Sequence, residues 1–416
     1  MQTALHPEFA GTADGLRAEA ILRKCVHCGF CLATCPTYQL LGNELDSPRG
    51  RIYLVKQVME GATPSRATQL HLDRCLTCRN CETTCPSGVD YADLLDIGRR
   101  AVETKVSRSP PQRLVRWLLR EGLTSRAFAP LLRAGTALRP LLPSALQRKL
   151  VARRAPSAQG SAWPQARHGR RVLLLAGCVQ PGLEPNINPA TARVLDAAGV
   201  QTQVAAAAGC CGAIRSHLAD QSGGFADMRR NIDAWWPYLS TGIDGPPVEA
   251  IVMNASGCGV TVKEYGHLLA DDPAYAEKAR QVSALTRDLS EFVSTVVPAL
   301  RSRLGTRSAA VAVHVPCTLQ HGQRLPGVLE SVLRELGFAV SVAQQEHHLC
   351  CGSAGTYSVL QAALATQLRD RKLAQLTRLQ APCIVSANIG CIQHLQSGTA
   401  LPVRHWVEVL DHALFQ

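Results

Sequence analysis

Nowhere does this chain of 416 residues run apolar for the ~18–20 positions a bilayer-spanning helix needs. Its opening, MQTALHPEFAGTADG, lacks a basic stretch followed by an apolar core, so no secretory leader is expected and the chain is placed on the cytosolic side of a membrane. A strand followed by G-x-G-x-x-G and a helix is also missing, so no dinucleotide fold is expected here. No acid–base pair or nucleophile constellation for chemistry on carbon stands out. Disulfides are disfavoured twice over: a reducing compartment keeps thiols free, and the 17 cysteines are an odd number. Metal ligation is the natural use for that many thiols.

What is present is cysteine in rhythm. CVHCGFCLATCP runs from Cys25 to Pro36 and CLTCRNCETTCP from Cys75 to Pro86. Both are C-x2-C-x2-C-x3-C-P, the spacing that holds 4Fe–4S clusters. Two-residue gaps wrap three thiolates onto three corners of one cube, and the fourth cysteine serves the other cube. One cluster is then expected on Cys25, Cys28, Cys31 and Cys85, the other on Cys75, Cys78, Cys81 and Cys35. Zinc knots also use C-x2-C, but four ligands suffice per ion. Two complete strings with trailing prolines favour iron–sulfur. His27 lies inside the first string opposite Thr77 and is read as a neighbour of the cluster, not a ligand.

Ile52, Val55 and Val58–Met59, then Leu94, Leu95 and Ile97, keep close to a helical period, so residues 1–103 are expected as a helical two-cluster domain. Residues 104–170 form a basic connector: from Thr104 to Arg171 there are fifteen Lys or Arg and one acid, Glu121. Prolines 110, 111, 130, 140 and 143 are expected to break its helices, and RRAPSAQGSAWPQARHG reads as a flexible linker. Arg113, Arg116 and Arg120 flank Leu114, Trp117 and Leu118 as on an interfacial helix. A solvated charge run, a membrane-surface contact and docking to an acidic partner stay open; nucleic acid is disfavoured, since no stacking platform accompanies the charge.

Beyond residue 171 three landmarks occur twice in the same order. RRVLLLAGC, GCCGA and AIVMNASGC are followed by AAVAVHVPC, LCCGSAG and CIVSANIGC. Cys178 to Cys210 spans 32 positions and Cys317 to Cys350 spans 33. Strand, helix and glycine stop follow each first landmark, the βαβ cue. Two α/β lobes, 171–305 and 306–416, are expected. The fold class is therefore multidomain α and α/β, a helical two-cluster ferredoxin domain followed by a duplicated α/β pair. Glycine after adjacent cysteines lets the chain turn sharply enough to aim both thiols at one site. The sets are Cys178, Cys210, Cys211, Cys258 and Cys317, Cys350, Cys351, Cys391. The plainer alternative is buried small apolar side chains. Cys383, opposite Ala250, is read as core.

Two ferredoxin-type strings followed by two CCG domains resemble the iron–sulfur subunits of membrane-associated dehydrogenases. That group includes glycolate oxidase, anaerobic glycerol-3-phosphate dehydrogenase, lactate-utilisation proteins and a heterodisulfide reductase subunit. KCVHCGFCLATCPTYQLLGNELDSPRGRIYLVKQV, HLDRCLTCRNCETTCPSGV, RNIDAWWP, SGCGVTVKEYG, CTLQH and HLCCGSAGTY are similar to the glycolate oxidase iron–sulfur subunits. The resemblance implies two 4Fe–4S clusters, with FAD on partner subunits that oxidise glycolate to glyoxylate. It also implies electron transfer toward quinone at the membrane. The fullest CCG pattern ends in C-x-x-C; here CGVT and CIQH do not, and His394 stands at the second place. Each lobe is accordingly left with a cluster, a zinc ion or nothing. His347 and His348 are read as neighbours of Cys350 rather than ligands.

Overall fold

The computed structural model describes residues 1–137, 162–243, 245–305 and 309–415. Its amino-terminal part is helical. The helices are α1 (Ala13–Lys24), α2 (Phe30–Ala33), α3 (Pro36–Leu41), α4 (Pro48–Met59), α5 (Arg66–Asp73), α6 (Asn80–Thr84) and α7 (Tyr91–Lys105). Local chemistry fixes their starts. The Thr12 hydroxyl accepts from Gly15 N at 3.0 Å, and Ser47 accepts from Gly50 N at 2.9 Å with Pro48 at the first helical position. The apolar stripes then meet: α4 buries Ile52, Val55, Val58 and Met59 against Leu94, Leu95 and Ile97 of α7. The contact closes at Gly98, where an added Cβ would come 2.3 Å from Val55 Cγ2. Each cysteine string runs from a loop through a short helix of this frame, α2 or α6, to the residue beyond it, so packing holds both strings.

α8 (Pro110–Thr124) and α9 (Phe128–Ala137) follow. The connector's prolines do not all break helices. Pro110 and Pro111 open α8, where their missing N–H groups cost nothing, and Pro130 lies in the first turn of α9. Pro140 and Pro143 fall outside the described residues. Part of the expected linker is held down: Trp163 Nε1 donates to Thr202 O at 3.4 Å, and His168 pairs with Asp196 at 2.9 Å. Residues 153–161 of that stretch are not described.

The remainder is two four-stranded parallel sheets. The first has β1 (Arg170–Leu174), β2 (Val200–Gln203), β3 (Ala250–Met253) and β4 (Thr286–Asp288), in the order β2-β1-β3-β4. The second has β5 (Ala310–Val313), β6 (Ala339–Val342), β7 (Ile384–Ser386) and β8 (Val403–His405), in the order β6-β5-β7-β8. Their registers match. Leu174 pairs with Val252 as Val313 pairs with Val385, and Val252 pairs with Arg287 as Val385 pairs with Arg404. The duplication read from the landmarks is thus a duplication of fold. Val172, Leu173 and Leu174 are all buried, as expected of a parallel strand covered on both faces.

The lobes share one core. Helix Ile187–Ala197 of the first packs on Trp406–Phe415 of the second, and Leu289–Ser294 packs on Val328–Glu335. Arg193 crosses this seam to Asp411 with two hydrogen bonds of 2.8 and 2.7 Å, and His405 Nε2 reaches Asn254 O at 2.8 Å.

The helical domain sits on both lobes. Arg79 forms an ion pair with Glu264, and His267 lies 3.4 Å from Asp93. On the other lobe, His321 pairs with Thr83 Oγ1 at 2.9 Å through Nδ1 and donates from Nε2 to His348 O at 3.0 Å. Leu76, in the second cysteine string, is buried with Cys350, Tyr357, Leu364 and Leu368.

Candidate metal centres

In each tight loop two residues take the left-handed conformation: His27 and Gly29 in the first, Thr77 and Arg79 in the second. These reversals curl the chain so that successive cysteines face inward and backbone amides turn toward sulfur. Thr77 N donates to Cys75 Sγ at 3.4 Å. Pro36 then starts α3, carrying the chain away from the loop.

Two neighbouring pockets result. One is lined by Cys25, Cys28, Cys31 and Cys85, with Ile52 and Val89 as apolar walls. The other is lined by Cys35, Cys75, Cys78 and Cys81. Each pocket draws cysteines from both strings. Cys81 and Tyr91 line both pockets, and the Tyr91 hydroxyl donates to Cys75 Sγ at 3.6 Å. Beneath the second pocket Arg51, 1% exposed, donates to His71 O at 2.7 Å and to Thr37 Oγ1 at 3.1 Å. Asp46 there takes Arg74 at 3.0 Å and His71 at 3.0 Å. The buried guanidinium sets positive charge beside the thiols.

The donor set fits an iron–sulfur cube. Burial pushes the Cys31 thiol up to about 11, and holds Cys78 and Cys81 well above the ordinary thiol range. Four such thiols ionise together only when a strong positive centre compensates them. His27 lies beside the first pocket, edge-on to Tyr53.

In each α/β lobe, four thiols converge beyond the carboxyl ends of the strands. Cys178 follows β1, the Cys210–Cys211 pair follows β2, and Cys258 lies in helix Ser256–Lys263 after β3. Cys178, Cys210, Cys211 and Cys258 are neighbours in that order, each thiol close enough to the next for the two to shift each other's ionisation. Cys317, Cys350, Cys351 and Cys391 form the same series, with Cys317 Sγ 3.7 Å from Cys350 Sγ. Gly212 and Gly352 make the turns. Both have positive φ, both donate N–H to the first thiol of the pair at 3.4 Å, and a Cβ would lie 2.8 Å from Gly224 O or 2.6 Å from Ala365 O. Only glycine satisfies both the backbone angle and the space.

Cys383 stays out of the site and packs against the shared core, its thiol on Ile384 O at 3.4 Å. His394 Nε2 is 3.0 Å from Ala365 O. His347 and His348 stack edge-on to each other. One residue was not singled out from sequence: His314, 3% exposed, lies with Cys351 and Cys391 so that their ligand atoms are within 4.8 Å of one another. Burial lowers its pKa to about 3. The repeat itself carried the signal, because His314 precedes Cys317 by three positions where the first lobe has Leu175 before Cys178.

Both lobe sites open into one cavity of about 610 Å³ that lies between the lobes and the loop of the second tight string. Cys178, Cys258, Cys317, Cys350 and Cys391 line it alongside Leu76, Thr77 and Arg79.

Twin crossed four-thiol pockets joined to a duplicated CCG pair define a dicluster iron–sulfur protein of the cysteine-rich-domain class. Residues 21–89 match the 4Fe-4S dicluster domain, and residues 172–263 and 311–396 match the cysteine-rich domain. The chain is 52% identical over 415 residues to the glycolate oxidase iron-sulfur subunit of Escherichia coli K12, covering 100% of this chain and 99% of that one. It is 30% identical to a probable glycolate oxidase iron-sulfur subunit of Bacillus subtilis, over 91% of this chain and 89% of the relative. Lactate utilization protein A of Bacillus velezensis is 28% identical but aligns with 58% of this chain. The chain belongs to the family of glycolate oxidase iron–sulfur subunits.

Proposed function

We propose that this chain carries electrons from a flavin on partner subunits, where glycolate is oxidised to glyoxylate, toward a membrane quinone. The observation that carries the reading is the unbroken series of thiol sites. The first pocket shares Tyr91 and Cys81 with the second. The second abuts the lobe thiols through Leu76 and Cys78, which pack with Cys350 and Cys317. Two 4Fe–4S clusters held by the eight ferredoxin-type cysteines would supply one-electron carriers, suited to dividing the two electrons that glycolate loses.

The protein's own part is to hold, shield and tune. Ile52 and Val89 give the first pocket apolar walls, while Arg51 and the Tyr91 hydroxyl offset charge at the second. Amides of Thr77, Gly212 and Gly352 donate to sulfur, which favours the reduced, more negative state of a bound centre. The lobe sets are assigned as metal sites on the same grounds, closed thiol groups with glycine turns. At the surface, Leu114, Trp117 and Leu118 of α8 are each more than half exposed, and they are assigned to a peripheral membrane contact.

The test is anaerobic. With the flavin partners added, glycolate should bleach the visible absorbance of the clusters, and D-lactate should do so more slowly. No bleaching by glycolate with active partners present removes the reading.

A further inference from the structure

We infer that His314 is a metal ligand of the second lobe, making that centre a mixed thiolate–imidazole site while the first lobe's is thiolate only. This rests on the reading of the lobe thiols as metal sites. The ion class is a borderline-soft first-row metal, zinc or iron, for which both donor types are suited.

The argument starts from the repeat. The registers set Leu174 equivalent to Val313 and Val252 equivalent to Val385. The next pair along is therefore Leu175 and Met253 in the first lobe, His314 and Ser386 in the second. Leu175 and Met253 belong to the first lobe's apolar core. In the second lobe both positions have become polar, and the two are joined: His314 Nδ1 lies 2.9 Å from Ser386 Oγ. Ser386 is 0% exposed and His314 3%.

Burying an imidazole where the duplicate has leucine is unfavourable unless both ring nitrogens are used. Ser386 uses Nδ1, and no second hydrogen bond of the ring is present among the described residues. What lies beside it is the thiol pair Cys351 and Cys391, with all three ligand atoms within 4.8 Å of one another. That is the one such group among the described residues; the ferredoxin-type cysteines, spread around their pockets, form none. Metal-bound histidines characteristically have the second nitrogen fixed by a hydrogen bond, the part Ser386 plays here. The group supplies three donors to one ion, the His314 imidazole and the Cys351 and Cys391 thiols. On iron, imidazole in place of thiolate lowers the negative charge and raises the reduction potential.

The test uses the full chain purified without oxygen. Iron, zinc and sulfide are counted, and X-ray absorption is recorded at the element present beyond the two cubanes, which also separates zinc from iron. The expected result is a nitrogen scatterer on the excess metal in the native chain. His314→Leu, which copies the first lobe, should remove that scatterer and at least half of the excess metal while the dicluster iron stays at about eight. Unchanged excess metal and nitrogen shell in that variant would overturn the inference. If Cys351→Ser releases metal and His314→Leu does not, the histidine falls and the thiol site stands. A native chain with no excess metal overturns both. Should His314→Leu lose dicluster iron through misfolding, His314→Gln decides: dicluster kept and nitrogen lost supports ligation, and nitrogen kept refutes it.

Discussion

His27, Gly29, Thr77 and Arg79 all sit in the left-handed region, and they bend each tight loop around its pocket. The spacing of the strings predicts that the fourth cysteine crosses over, and the pockets place Cys35 with Cys75, Cys78 and Cys81. Cys35→Ser should therefore strip the second cluster, although Cys35 belongs to the first string. The iron count should fall from about eight toward four. The remaining EPR signal should keep the first cluster's line shape and lose the splitting from its neighbour. A loss confined to the first cluster would refute the crossing. Cysteine was legible because its role is set by spacing along the chain. His314 was not, because inside AAVAVHVPC it reads as one more strand residue. The repeat aligns it with Leu175, but only the three-dimensional structure shows that its neighbours are Ser386 and the Cys351 and Cys391 thiols.

Among the elements, α8 departs most from what its sequence suggests. Alternating Arg and Leu reads as a basic interfacial helix, yet two of the three arginines turn inward. Arg116 pairs with Asp73 at 3.0 Å, and Arg120 pairs with Glu121 at 2.9 Å and Asp220 at 3.4 Å. Arg215 holds the same end of α8 through Glu121 at 2.8 Å. Partners this distant in sequence are invisible to a local pattern, and they engage two of the three α8 arginines in docking the helix. The outward stripe is apolar, with Leu114 56%, Trp117 51% and Leu118 53% exposed. The proposed membrane contact then depends on apolar insertion more than on headgroup charge. Replacing Leu114, Trp117 and Leu118 together by serine should abolish co-flotation with phospholipid vesicles and leave the iron count unchanged. Raising salt should weaken flotation only slightly. A native chain that fails to float with anionic or neutral vesicles removes the contact.

At the scale of the whole molecule, the two lobes behave as one body because their seam is a core, and the helical domain clamps both. The duplication was legible in the repeated landmarks, whereas the seam was not, since its polar contacts join residues 218 and 151 positions apart. His405 sits in that seam, 0% exposed, with Nε2 on Asn254 O at 2.8 Å. Burial lowers its pKa from 6.5 to about 4. A histidine kept neutral in the fold binds its proton more readily when unfolded. Its contribution is therefore complete above pH 6.5 and is lost as the pH falls from there toward 4. The loss is at most about 3 kcal/mol, from 1.36 kcal/mol per unit. His405→Gln keeps an amide donor for Asn254 O and removes the titration. Urea unfolding followed anaerobically at pH 8 and at pH 5 should show the variant somewhat less stable than the native chain at pH 8, through poorer packing beside Trp406. At pH 5 the gap should narrow by about 2 kcal/mol. His217, also held low by burial, titrates in both proteins and cancels in the difference. A gap that stays constant across that range would show that the seam does not carry the acid sensitivity.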